Sequence, residues 1–492
     1  MSVLGWLPAD GVATGDEGRA ATRTARIGTS MAVGVLGLAT VVSFVSGTAA
    51  VWLAPALSLA AGLVLAMRCQ VDRLVVLTLW LWMLAPLARR LIDWQSTYHD
   101  LSPVLLCAPL TSLMALVAVR RWRGVTVRRP IAVLFGAMVL GIGYGTVLGL
   151  ARYGAPAVFA AAVELAAPLV LGYAVLMYPQ NQRILQACFP VARWGVLVIG
   201  GYAIVQFALL PVWDEQWILD SGISTVGQPV ATQVRIFSTM NTAGPFAHFL
   251  SGLLLLVLGD PRRRVAWTLP VLAVGYIALG LSLVRAAWVA HLVALLVLVL
   301  ARRVRLVPLL VSAAAIVSLT LLIGGPVVDA IAGRVENTVA DGSQDQSLQS
   351  RMSLQGALAD QLVAAPWGEG LGATGLATQL GADAGPQLQN VDSGIFETML
   401  TLGLLFGGLL LLATFLAAVS MAAGAVAGRV DPASAALFVA LAAGLVFTDT
   451  YKSAFGGLLW LAAGLLGQVR VLPALRGRRS GGGRQAASTP GG

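Results

Sequence analysis

Three arginines, Arg235, Arg285 and Arg351, have the chemistry and the placement to hold a phosphorylated ligand. A guanidinium is planar and presents its donors as a fixed fork, so it fixes phosphate oxygens in a defined orientation. Arg235 and Arg351 lie in two long polar stretches, whereas Arg285 interrupts a long apolar run. Converging on one face, the three suit a pyrophosphate. The alternative for Arg235 and Arg351 is surface ion pairing with nearby acids. For Arg285 it is a side chain that reaches from a hairpin turn to the membrane interface, because a cation at membrane depth is costly unless paired, solvated or facing an anion.

Few other polar groups sit in apolar surroundings. Glu164 is the one acid deep in an apolar segment. It reads as a proton-relay carboxylate or as the partner of a buried arginine, the second being favoured. His248 and His291 also fall within apolar runs, where an interhelical hydrogen bond is the expected role. His99 lies in a short polar connection. The chain contains no HExxH, nucleophile elbow or P-loop, and its polar stretches hold no DxD pair. These absences argue against metalloproteases, lipases, ATPases and metal-dependent transferases.

The elements that must position these groups follow from composition. The chain has 492 residues, 58% hydrophobic and only 11% charged, against a charged share of about 25% in soluble domains. It reads as an all-α polytopic membrane protein with about fourteen transmembrane helices. The net charge of +10 comes from short basic clusters between apolar runs. That pattern marks cytoplasmic loops and not a nucleic-acid-binding face. Cys69, Cys107 and Cys188 are far apart and imply neither a disulfide framework nor a metal cluster.

Apolar runs fall at 27–47, 49–67, 74–87, 102–119, 131–149, 157–177, 194–212, 242–258, 266–283, 286–301, 306–324, 394–423, 433–448 and 453–470. The excess of Lys and Arg in alternate loops places both termini in the cytoplasm. The expected organisation is a cytoplasmic tail at 1–26, a first membrane part at 27–325, a large extracytoplasmic loop at 326–391, a second membrane part at 392–471 and a basic, disordered tail at 472–492.

Basic residues flank 265–300 on both sides while Arg285 is its sole charge, so this run reads as a tight helical hairpin turning near Arg285 on the outer side. A second outer loop spans 213–241, where Trp213 and Trp217 are expected in an interfacial aromatic belt. Within 326–391, residues 347–365 carry Leu354, Leu358 and Leu362 on one helical face, and Pro366 ends the helix before a glycine-rich turn at 368–375. Gly370, Gly372 and Gly375 formally spell GxGxxG. No strand precedes them, so a dinucleotide site is not expected. No internal repeat is evident, which weighs against a transporter of inverted halves.

Four segments in order carry a resemblance. Arg235-Ile-Phe-Ser-Thr-Met-Asn241, Ser282-Leu-Val-Arg285, Ser350-Arg351 followed by Pro366-Trp-Gly-Glu-Gly-Leu-Gly372, and Asp392-Ser393 with Glu397 and Gly403 resemble the successive motifs of the O-antigen ligase and polymerase family. The resemblance covers roughly residues 235–408. It implies a GT-C-like glycosyltransferase of the bacterial inner membrane, working on its extracytoplasmic side without metal, nucleotide or other cofactor. The implied partners are a polyprenyl-pyrophosphate-linked saccharide donor, a glycan or lipid acceptor and the surrounding membrane lipid. Arg235, Asn241 and Arg351 would then bind substrate, Arg285 would stabilise the departing pyrophosphate, and Glu397 would face the acceptor. Ligases of the family rely on a loop histidine as base, and residues 326–391 contain none. Asp392 stands near that place, as base or as the N-cap of the next helix. This departure, with the absence of any clue to a lipid A core, favours a polymerase or another glycan-transfer member over a ligase. The reading outside that family is a lipid-linked oligosaccharide flippase or other transporter, disfavoured because Glu164 stands nearly alone at mid-membrane.

Overall fold

The computed structural model describes residues 15–119, 125–223, 226–262, 265–304, 356, 358–360, 362–381, 391 and 393–469. Arg351, Asp392 and the apolar run at 306–324 lie outside them. The described chain is helical, with isolated β-bridges between Val127 and Gln468 and between Gly227 and Val234. Seven of its helices are long and apolar enough to cross a membrane, and six apolar helices are shorter. Together they account for every expected run other than 306–324. The protein is a multi-span helical membrane protein.

The helices are α1 (Gly15–Ser43), α2 (Gly47–Met67), α3 (Val71–Gln95), α4 (Cys107–Leu113), α5 (Ala115–Val119), α6 (Arg129–Arg152) and α7 (Ala155–Met177). A π-helical turn at Val196–Gly200 joins α8 (Asn181–Gly195) to α9 (Gly201–Leu209). Then come α10 (Val212–Ser221), α11 (Ala243–Gly259), α12 (Val265–Leu281), α13 (Arg285–Leu300), α14 (Gly394–Val426), α15 (Pro432–Gly444) and α16 (Ser453–Gly467). Three boundaries differ from expectation because polar residues extend the apolar runs, and the first is the start of α1 at Gly15, inside the expected cytoplasmic tail at 1–26. Helix α3 continues through Arg89, Arg90 and Asp93, all buried, and the span expected from 194 begins at Asn181.

Reversals at 44–46, 152–155, 282–284 and 445–452 fall at one end of the bundle with the start of α14. Arg90 meets Asp214 there, and Lys452 meets Glu397. At the opposite end the Arg128 N–H donates to the Gly467 carbonyl at 2.8 Å, and the Gln468 side chain donates to the Tyr178 carbonyl at 2.6 Å. In lipid, helices associate by close packing of small residues more than by expulsion of water. One such contact is α7 on α16, where a Cβ on Gly172 would lie 2.4 Å from the Trp460 carbonyl oxygen and one on Gly464 2.4 Å from that of Gly172.

Helix α14 is broken at Gly403, whose φ of 74° leaves the helical region. A break inside a membrane frees backbone groups that need partners, and the glycine-rich turn after Pro366 supplies them. Glu369 N–H donates to the Leu400 carbonyl at 2.7 Å and Gly370 N–H to that of Thr401 at 2.9 Å. In return Leu404 N–H donates to the Pro366 carbonyl at 2.8 Å. The polar stretch therefore re-enters the bundle and closes the gap in α14. Before the turn, Leu358 and Leu362 pack on Leu400.

Candidate functional site

The re-entrant turn lies between α6 and α14 because both sides lack side chains where they touch. A Cβ on Gly370 would stand 2.3 Å from Gly149 N, and one on Gly368 2.3 Å from Gly403 N. Gly368, Gly370, Gly372 and Gly375 all have positive φ, which glycine adopts without steric cost. The GxGxxG spacing thus serves backbone-to-backbone contact. Arg152 Nη1 donates to the Gly368 carbonyl at 2.9 Å and to Glu369 at 2.5 Å, and the Tyr153 hydroxyl donates to Glu369 at 3.2 Å. Burial and the Glu369 carboxylate push the Tyr153 phenol up to about 12, so it stays a donor. The Tyr144 hydroxyl holds the Trp367 carbonyl at 2.6 Å.

Behind this turn a cavity opens between α6, α7, α14 and the 445–452 connection. Its polar wall consists of Glu164 from α7, Glu397, Thr398 and Thr401 from α14, and Asp449 and Lys452 from the connection. The first turn of α14 and the connection are pressed together, since a Cβ on Gly394 would lie 2.4 Å from the Thr448 carbonyl oxygen. Lys452 Nζ is paired with Glu397 and stands 3.7 Å from Asp449. Burial and then the Glu397 charge push the Asp449 carboxyl up to about 7. Burial alone would lower the Lys452 ammonium, but Glu397, Asp449 and Glu164 outweigh it and raise it above its ordinary value.

Glu164 therefore faces Lys452 and Glu397 across the cavity instead of a buried arginine. It is not alone at that depth, which removes one argument against a transporter. Sequence reasoning passed over Asp449 and Lys452 as a short connection. A signal was present, because Lys452 is the sole lysine of the chain and every other base is arginine. A compact ammonium fits between carboxylates where a guanidinium fork is larger and more rigid.

The arginine motifs meet elsewhere at the same end. Arg235 Nε donates to the Ser282 carbonyl at 3.0 Å and Nη2 to that of Leu283 at 3.2 Å. This is the turn between α12 and α13, and Arg285 is the exposed first residue of α13. Arg235 is itself oriented by a buried knot. The Arg90 guanidinium donates to Asp214 and to the Ser238 carbonyl. The Gln206 side-chain oxygen accepts from the N–H groups of Phe237 at 3.0 Å and Ser238 at 2.7 Å. Asp214 also accepts from the Tyr202 hydroxyl at 2.8 Å. Arg90 and Asp214 were not among the expected functional residues, since charges next to loops read as surface groups.

Asn241 ends this segment, its side-chain oxygen buried without a hydrogen-bond partner among the described residues. Glu397 belongs to the cavity, while Arg351 and Asp392 lie outside the described residues. Trp217 is 4% exposed and packs on Phe237, so it is a core residue of the knot and not part of an interfacial belt. His291 bridges helices, bonded to Ser251 at 2.9 Å and Tyr276 at 3.0 Å. His248 instead contacts the Gly244 carbonyl of its own helix at 3.1 Å. Among the described residues no three His, Cys, Asp or Glu side chains are grouped to hold a metal ion.

Comparison with known proteins adds no name: no family model, no curated protein and no solved structure matches the chain.

Proposed function

We propose that the protein is a membrane glycosyltransferase that passes a saccharide from a polyprenyl pyrophosphate to an acceptor glycan, polymerising or ligating it without metal or nucleotide. The observation that carries this reading is the meeting of two arginine motifs, nearly fifty residues apart in sequence, at the Ser282–Arg285 turn. Arg235 braces the turn through its carbonyls, and Arg285 leaves it into the open. An exposed guanidinium on a braced turn at a helix N-terminus is suited to a phosphate, because the helix dipole adds to its charge.

In the proposed reaction an acceptor hydroxyl oxygen attacks the anomeric carbon of the donor. The bond from that carbon to the pyrophosphate oxygen breaks, and its electron pair leaves with the lipid pyrophosphate. Arg285, with Arg235 and Arg351, absorbs the growing negative charge. The hydroxyl proton passes to Asp392, and Glu397 stands on the acceptor side with Asn241 on the donor side. The fold is GT-C-like, with about fourteen spans in a bacterial inner membrane and both termini cytoplasmic. The test is extension of an undecaprenyl-pyrophosphate glycan by purified protein in detergent, without added metal or nucleotide. Arg285→Ala is expected to remove turnover, and full turnover by that variant would end the assignment.

The cavity favours a second reading, a lipid-linked oligosaccharide flippase or other transporter, because ionisable groups gathered inside a bundle are typical of coupled transport. In cells lacking the protein, lipid-linked single units accumulate on the outer side for a polymerase and on the inner side for a flippase.

A further inference from the structure

The carboxylate cavity is separate from the arginine turn, and its walls have a chemistry of their own. Thr398 and Thr401 are 6% and 8% exposed and line the cavity. Among the described residues neither hydroxyl has a hydrogen-bond partner, not even the backbone carbonyl one turn back that Thr414 uses in the same helix. Glu164 likewise makes no hydrogen bond or ion pair among the described residues. These hydroxyls and this carboxylate are therefore available to a group that enters the cavity. Residues 397, 398 and 401 fall on one face of α14, so their polar atoms converge with Glu164 on one space. Opposite them lie the apolar side chains of Met138, Leu165 and Leu371.

Three acids against one lysine repel an anion, which rules out the pyrophosphate here. The acids are not grouped as a metal site. What fits is a group that donates several hydrogen bonds to carboxylates, exchanges them with hydroxyls and lays an apolar face on aliphatic side chains. A sugar ring does all three.

We propose that the cavity walled by Glu164, Glu397, Thr398 and Thr401 is a saccharide pocket that takes a neutral or amine-bearing sugar ring and rejects sugars bearing a carboxylate. The substrate class rests on the saccharide-transfer reading, and the pocket then holds the acceptor ring while the arginine turn holds the donor pyrophosphate. Lys452, already paired with Glu397, keeps that carboxylate in place and positions the pocket.

The sole lysine makes the test direct. Full-length protein labelled with 13C at the lysine side chain gives one cavity signal, free of overlap from any other lysine. Methyl glucoside and methyl glucosaminide, added without donor, are expected to shift that signal saturably, and methyl glucuronide is expected to leave it in place. Thr401→Val, which keeps shape and removes the hydroxyl, and Glu164→Gln are each expected to weaken the binding about tenfold. An unchanged Lys452 signal in ligand-free Thr401→Val reports that the cavity is intact; in Glu164→Gln, which removes a charge that acts on Lys452, an unchanged unfolding temperature reports the same.

A signal unmoved by every sugar, moved equally by the glucuronide, or moved only by sodium ions overturns the pocket. Equal affinity in the wild-type chain and in both variants overturns it as well. The transfer reading fails separately: saccharide binding without turnover of lipid-linked donor leaves the pocket standing and removes the transferase. Turnover with an unchanged acceptor KM in Thr401→Val does the reverse.

Discussion

The arginine turn and the carboxylate cavity lie at the same end of the bundle and are built in opposite ways. At the turn, Arg285 is exposed, and Arg235 spends its donors on two backbone carbonyls. Charge there lies at the surface or is paired with backbone dipoles. In the cavity, Glu397 and Lys452 neutralise each other while Glu164, Thr398 and Thr401 remain open. Charge there is desolvated and survives only through its neighbours. The difference teaches that the two regions suit ligands of opposite character, an anion at the turn and a hydroxyl-rich ring in the cavity. It also means that losing a charge acts on them differently, on ligand binding at Arg285 and on the fold at Lys452.

The largest effect is expected from Lys452→Met. It leaves the Glu397 carboxylate buried without its counter-charge, and breaking such a pair from one side costs about 3 kcal/mol or more. Unfolding of the purified variant in detergent measures it. Lys452→Met combined with Glu397→Gln is expected to recover most of the loss. If the single variant unfolds like the wild type, the cavity charges are solvated and the contrast with the turn disappears.

A pH profile sharpens the same point. Asp449 is held protonated up to about 7 by burial, by Glu397 and by Glu164, against the opposing charge of Lys452. Its folded-state value is raised above the unfolded one, so its contribution is fully present below about pH 4 and is lost as pH rises to about 7. The expected decline between pH 5 and 7 is on the order of 2 kcal/mol, read from unfolding at a series of pH values. Asp449→Asn is expected to flatten that part of the profile. A decline of the same size in this variant assigns it to another group.

Helix positions were legible because each depends on contiguous residues. A run of apolar side chains is a span wherever it occurs, and a basic cluster marks its end. The cavity was not legible. Its walls come from α7, from both sides of the break in α14 and from a connection of eight residues, and only packing brings them together. Glu164 looked isolated because its neighbours lie more than two hundred residues away in sequence. The glycine-rich turn was recognised as a turn. Its seating against Gly149 and Gly403 depends on two further glycines that, in sequence, read as ordinary small residues of a span.

That seating gives a smaller, local prediction. Gly370→Ala adds a Cβ where the Gly149 backbone nitrogen lies 2.3 Å away and requires a positive φ of alanine. The expected cost is about 2 kcal/mol, with the turn displaced from the mouth of the cavity. A lower unfolding temperature together with a moved Lys452 signal reports displacement, whereas a lower temperature with an unmoved signal places the damage away from the cavity.

The smallest effects on stability are expected at the turn, and they separate its two arginines. Arg235→Ala removes two charge-assisted hydrogen bonds that fasten the 226–241 segment to the α12–α13 reversal, a loss of about 1 to 2 kcal/mol. Arg285→Ala changes an exposed side chain, and its effect on unfolding is expected to stay within about 0.5 kcal/mol. Their effects on ligand follow a different order. With inorganic pyrophosphate as the probe, Arg285→Ala is expected to abolish binding in a correctly folded protein, and Arg235→Ala to weaken it by letting the turn shift. Arg235→Lys restores the charge without the fork and is expected to recover little of that binding, because one ammonium cannot reach two carbonyls in the geometry a guanidinium spans. Equal pyrophosphate affinity in the wild type and in Arg285→Ala would show that the exposed cation serves the membrane interface alone, and the comparison would then rest on the cavity.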